Sequence, residues 1–151
     1  MKIVSGLYEG LNDTIFLPPN EERDQSPVTE AYKELSSFTK DYPLSPQYNR
    51  VYYMLQIVTG RLVRHELYVA HYYLRRDNFE AARVRIQYAV ERFPGSYLDP
   101  EAIVLLGETF LQLHKRDEAK ETFGRLLAQY PSSPFAVPAR HFLEQMGAPA
   151  R

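Results

Sequence analysis

Arg92-Phe93-Pro94-Gly95-Ser96 has two companions in this chain, Asp41-Tyr42-Pro43-Leu44-Ser45 and Gln129-Tyr130-Pro131-Ser132-Ser133. Each runs aromatic, proline, any residue, serine. Twelve positions before the three prolines stand Ala31, Ala82 and Ala119; eight before stand Leu35, Ile86 and Phe123; five before stand Phe38, Ala89 and Leu126. Steps of four and then three mark one face of a helix. Three helices with one apolar face each therefore run into the same turn, which is the mark of an internal repeat.

Farther upstream the second and third copies still agree. Ala70 and Gly107 lie twenty-four positions before their prolines, and Tyr73 and Phe110 twenty-one before. A small residue on each of two paired helices lets them cross closely. This spacing resembles the helix–turn–helix of the tetratricopeptide repeat (TPR). The expected fold is all-α: a TPR-like α-solenoid of antiparallel helix pairs, with one repeat at about 63–96 and another at about 100–133.

Helix starts are expected at Ser26-Pro27, Ser45-Pro46, Asp99-Pro100 and Ser133-Pro134, where a capping oxygen precedes proline at the first helical position. Asp77 with Glu80 is the expected cap between the helices of the middle repeat. Gly147 is the expected end of the last helix, which begins near Val137 or Pro138.

The register breaks in two places. Pro43 and Pro94 are 51 residues apart, whereas Pro94 and Pro131 are 37 apart. The surplus falls in Pro46 to Arg76, which lacks an internal proline and predicts one extended helix containing Gly60. Near the start, Asn12 to Gln25 holds Pro18-Pro19-Asn20-Glu21-Glu22-Arg23-Asp24 and predicts an inserted loop. The expectation is a single domain over 1–147. Within it, 1–44 is an interrupted repeat with the insert at 12–25, and 45–96 a repeat with an extended first helix. A further repeat covers 99–133 and a capping helix 134–147.

The 151 residues carry 18 basic and 19 acidic side chains, a formal net charge of −1. That balance gives no drive toward a phosphate backbone, so no nucleic-acid partner is expected. Cysteine is absent, which removes thiolate chemistry and disulfides. Met1 to Gly6 is too short an apolar run for a signal peptide. No stretch approaches the roughly 18 apolar residues of a membrane span. His65 and His71 are six apart and do not share a helix face. No metalloprotease, phosphate-loop or nucleophile-elbow motif occurs. The chain is expected to bind proteins, without catalysis, cofactor or metal.

Tyr42, Phe93 and Tyr130 are expected in inter-repeat packing. The first helices of the repeats are expected to line a groove through Arg64, Leu67, His71, Leu74 and Arg75, then Val104, Glu108, Leu111 and Gln112. A second expected contact surface is Arg83, Arg85 and Arg92, because guanidinium groups hold a partner's carboxylates bidentately. Pairs with Glu80 or Glu91 are the competing role for these arginines.

One stretch goes beyond the generic repeat. It is His65-Glu66-Leu67-Tyr68-Val69-Ala70-His71-Tyr72-Tyr73-Leu74-Arg75-Arg76, with Phe79-Glu80-Ala81-Ala82-Arg83-Val84-Arg85 and Phe93-Pro94 after it. It resembles the fourth repeat of the BamD (ComL, YfiO) family of outer-membrane assembly lipoproteins. The extended helix, and the insert followed by Arg23-Asp24-Gln25 and a helix ending in Tyr42-Pro43, are similar too. The resemblance covers the third to fifth of five family repeats. It implies a scaffold subunit of the outer-membrane β-barrel assembly (BAM) machinery, at the periplasmic face of the outer membrane. It also implies contact with the POTRA region of BamA and with other BAM lipoproteins. Unfolded outer-membrane protein segments are further candidate partners. The family arginine of the POTRA contact falls on Arg85. A lipid anchor is expected only in a full-length protein, and an array that starts inside a repeat is open to self-association. The alternative is another periplasmic TPR adaptor, such as a cell-division coordinator, although such proteins keep regular repeats throughout.

Overall fold

The computed structural model describes residues 24–147. Among them are six helices and no strand: α1 (Ser26–Asp41), α2 (Tyr48–Leu74), α3 (Phe79–Arg92), α4 (Asp99–Gln112), α5 (Arg116–Gln129) and α6 (Ala136–Gln145). The fold is all-α, as the repeat spacing predicts. Of the expected insert at 12–25, only Asp24 and Gln25 fall within the described residues, and neither is helical. The chain divides into two compact units, residues 1–65 and 66–151.

The repeated turn has one geometry in all three copies. Tyr42, Phe93 and Tyr130 follow α1, α3 and α5 with φ, ψ of −129°, 57°; −129°, 54°; and −134°, 56°. Each donates its N–H to the carbonyl four residues back. The serine three residues on then does two jobs. Its Oγ accepts the N–H two positions later, at 3.2 Å from Gln47, Leu98 and Phe135. Its carbonyl accepts the N–H of Tyr48, Asp99 or Ala136, each at 3.0 Å. Such local bonds satisfy backbone groups that a helix start leaves orphaned. They explain why the motif needs serine at its fourth position.

In the first unit, Val28, Ala31 and Leu35 bury one face of α1. Pro27 supplies the fixed φ of the first turn. Ser26 is not the expected cap: its N–H and Oγ both donate to Asp24, at 3.0 and 2.8 Å. Those bonds, the hydroxyl's first, hold the Asp24 carboxyl below its ordinary range. Val51, Met54, Val58 and Leu62 are buried along α2. Gly60 is buried inside that helix and does not break it, so the extended helix runs from Tyr48 to Leu74 rather than from Pro46 to Arg76. Tyr42 departs from the expected packing role. Its ring lies against Phe38 of its own helix, 5.2 Å between centroids, and it is 60% exposed.

In the second unit, α4 packs against α3, α5 and α6, and α5 also packs against α6. The core is built of Ile86, Val90, Ile103, Phe123, Leu126 and Leu143 around the small residues Ala82, Ala119 and Ala139. Phe123 stacks on Phe142 with ring centroids 5.1 Å apart. Arg116 at the start of α5 donates to the Met146 carbonyl at 2.9 Å, tying α5 to the end of α6. Gly147 follows at φ 74°, its N–H on the Glu144 carbonyl, and ends the last helix where expected.

The turns after α2 and α4 are identical and irregular in composition. Asp77 and His114 hold left-handed backbone, φ 56° and 59°. Asp77 donates to Leu74 and Asn78 to Tyr73; His114 donates to Leu111 and Lys115 to Phe110. This is the paired-bond Schellman ending, usually built on glycine. It also corrects the expected cap of α3. Asp77 is spent on the turn, and the cap is Asn78, whose Oδ1 accepts from the Ala81 N–H at 3.2 Å.

Candidate protein-binding surface

Arg83, Arg85 and Arg92 all lie on α3, but they do not share one environment. Arg83 is bound within its own helix. Its Nε donates to both Glu80 oxygens at 3.0 and 3.1 Å, and its Nη1 to Gln87 Oε1 at 2.6 Å. The pairing lowers the Glu80 carboxyl's pKa and raises that of the guanidinium. Its Nη2 also donates to Glu80 Oε1, so all three guanidinium nitrogens are occupied and Arg83 takes the competing role.

Arg85 is held from a different helix. Its Nη1 donates to Glu66 Oε2 of α2 at 3.3 Å; the Glu66 side chain is 11% exposed and that of Arg85 44%. A carboxylate that far from water needs a charged partner. Glu66 therefore fixes one edge of the guanidinium, while the exposed remainder keeps donors for a ligand.

Positions 85, 88 and 92 fall on one face of α3. Tyr88 is 45% exposed there, its ring edge-on to buried Phe93 at 5.9 Å. Arg92 is exposed at the helix end, and Val84 is exposed beside Arg85. The resulting surface is Arg85, Tyr88 and Arg92 with an apolar margin at Val84. Arginine and tyrosine are the residue types enriched in energetically dominant contacts. Sequence reasoning misses Tyr88 and Val84, although Tyr88 stands three residues after Arg85 and four before Arg92, a spacing that places all three on one face; no such spacing marks Val84.

The expected groove set is only partly surface. Leu67 and Val104 are 5% exposed and belong to the core. His71, Arg75 and Gln112 are exposed, and Leu74 and Leu111 half-buried. Arg64 is exposed on the part of α2 that belongs to the first unit. Glu108 is half-buried, and that burial pushes its carboxyl above the ordinary range. His71 and Glu108 occupy equivalent positions, as do Arg75 and Gln112, so consecutive repeats present different charge at the same place. The Arg76 guanidinium sits over the Tyr72 ring, 3.7 Å from its centroid.

Among the described residues, no three acidic or histidine side chains are placed to hold a metal ion. None of their helices is long and apolar enough to cross a membrane.

The YfiO family model, described as outer membrane lipoprotein, matches residues 4–122. The chain is 27% identical over 140 residues to the outer membrane protein assembly factor BamD of Xylella fastidiosa, covering 89% of this chain and 48% of that protein. It is 26% identical over 125 residues to BamD of Caulobacter vibrioides, covering 83% of this chain and 41% of that one. Over 100 residues it is 25% identical to BamD of Pasteurella multocida, covering 66% and 38%. The chain thus spans less than half the length of each of these relatives. With a family model matching well over half of its residues, the chain belongs to the YfiO family of outer membrane lipoproteins.

Proposed function

We propose that this chain is a non-catalytic scaffold of outer-membrane β-barrel assembly, acting at the periplasmic face of the outer membrane. Its partner is the POTRA region of a BamA-like protein, and its contact is the Arg85–Tyr88–Arg92 face of α3. The observation that carries this reading is the Glu66–Arg85 pair, which holds a half-exposed guanidinium in place before any partner arrives. Preorganisation of that kind lowers the ordering cost of binding. The relatives are named as outer membrane protein assembly factors, which supports the setting. Other lipoproteins of the same machinery and unfolded outer-membrane protein segments are further partners in this reading.

The test is titration of the chain with the cognate POTRA region by calorimetry. Binding is expected in the micromolar range, weakened about tenfold or more by Arg92→Gln, since loss of a charged contact costs about 1.5–3 kcal/mol. No heat at about 50 μM, a concentration at which a Kd of micromolar order is saturated, sets the proposal aside.

A further inference from the structure

Between α3 and α5, over α4, lies a groove of about 220 Å³. Its floor is Val90, Leu106 and Phe110, and its mouth carries Glu91, Glu118 and Glu121 with Arg125 as the single cation. We propose that this groove is a socket for one arginine side chain of a partner protein, separate from the Arg85 face.

The shape argues for a side chain. Small-molecule pockets run from about 300 to 1,000 Å³, and this one is smaller. The floor and mouth argue for a particular side chain. An arginine lays its methylene stem on apolar surface and keeps its charged head at a polar rim. Here the three floor residues are apolar, and the rim has three carboxylates to one guanidinium.

The rim charge is only partly compensated by the chain itself: Glu91 lies within the electrostatic reach of Arg83, and Arg125 is the one cation on the rim. Glu118 and Glu121 are three residues apart on α5, close enough on one helix face to repel. Arg125 is one turn beyond Glu121, yet its Nε points to Gln129 Oε1 at 3.4 Å. Neither Glu118 nor Glu121 closes an ion pair among the described residues. Glu91 accepts one hydrogen bond, from Gln87 Nε2 at 2.8 Å, and keeps acceptor capacity. The carboxylates ring the mouth without converging on a point that could hold a metal ion. A flat, delocalised and weakly hydrated cation suits such a ring better than a point charge.

The probe is N-acetyl-arginine amide, titrated into the 15N-labelled chain and followed by amide shifts. N-acetyl-citrulline amide, of the same shape without the charge, is the control. Arginine amide is expected to shift the amides of Val90, Leu106 and Phe110 with a Kd of millimolar order, while citrulline amide leaves them still. Glu118→Gln with Glu121→Gln is expected to weaken the response about fivefold or more; both side chains lie at the groove mouth, so an unchanged melting temperature is expected too. Equal shifts with citrulline amide mean an uncharged occupant and overturn the proposal. So does a response that survives the paired glutamine change, or none at about 20 mM probe, well above that Kd. None of these outcomes bears on the POTRA contact, which uses other residues and another ligand.

Discussion

Gly107 faces the ring of Phe123 so closely that a Cβ at position 107 would lie 2.7 Å from its Cδ1 and nearer still to Cε1 and Cζ. Phe123 is fully buried, and Phe142 stacks on it, so its ring has little room to give way. The equivalent positions one repeat earlier are Ala70 and Ile86, both fully buried. A small residue thus grows by a methyl where its opposite number shrinks from a ring to a branched chain. Gly107→Ala is expected to cost about 1–3 kcal/mol, the usual price of overpacking. Phe123→Ile alone leaves a void and also destabilises. Together they are expected to cost less than the sum of the two, by about 1 kcal/mol or more. Urea unfolding of the four proteins measures this coupling, and strict additivity would show that the two positions do not share volume.

Arg85 is bound to a buried carboxylate, and that limits how its binding role is tested. Arg85→Glu sets a second carboxylate against Glu66, and a stability loss of about 1–3 kcal/mol is expected, less than for a fully buried pair because the Arg85 side chain is 44% exposed. Arg85→Gln with Glu66→Gln removes both charges. Its melting temperature is expected to return most of the way toward that of the unaltered chain, as read by thermal unfolding.

Tyr130 donates its hydroxyl to buried Asp99, which also accepts the Gly95 N–H at 3.3 Å. Burial first, then the Asp99 hydrogen bond and charge, push the phenol up to about 12. A phenol raised in the folded state contributes stability below its unfolded value near 10. That contribution is lost as pH climbs from there through about 12. The chain is expected to lose stability over this alkaline span more steeply than Tyr130→Phe. At neutral pH the same substitution is expected to cost about 1–2 kcal/mol by leaving the Asp99 carboxylate short of a donor. Denaturant midpoints from pH 7 to pH 11 check both statements.

His114 sits at φ 59° with no glycine to relieve it. An L-residue there carries a cost of about 1–2 kcal/mol, partly offset by the extra chain entropy that glycine would lose. His114→Gly is expected to stabilise by about 0.5–1 kcal/mol, seen as a raised denaturant midpoint. The same sign is expected for Asp77→Gly, since its turn has the same bonds.

The repeat was legible because it depends on local spacing. Small and large residues at fixed offsets from three prolines place the helices of the middle and last repeats, and Gly147 marks the end of α6. What escaped depends on partners far along the chain. Asp99 had the composition of a cap, yet its carboxylate turns back to Gly95 and across to Tyr130, 31 residues away. Asp77 and Asn78 are both capping residues by type. Only the left-handed φ at 77 decides that the second of them does the capping. The three arginines of α3 looked equivalent, and the difference lies in Glu66, 19 residues before Arg85. Periodicity placed that glutamate on a helix, but no spacing rule pairs it with an arginine of the next one.

In the proposed complex, α3 presents a fixed guanidinium to a POTRA region. The decisive measurement is the affinity of the Arg85→Gln, Glu66→Gln protein for that region, taken beside that of the unaltered chain. A fold restored to near its original melting temperature with binding weakened about tenfold or more is the expected result. A restored fold that binds as tightly as the unaltered chain would mean that the POTRA region does not use Arg85.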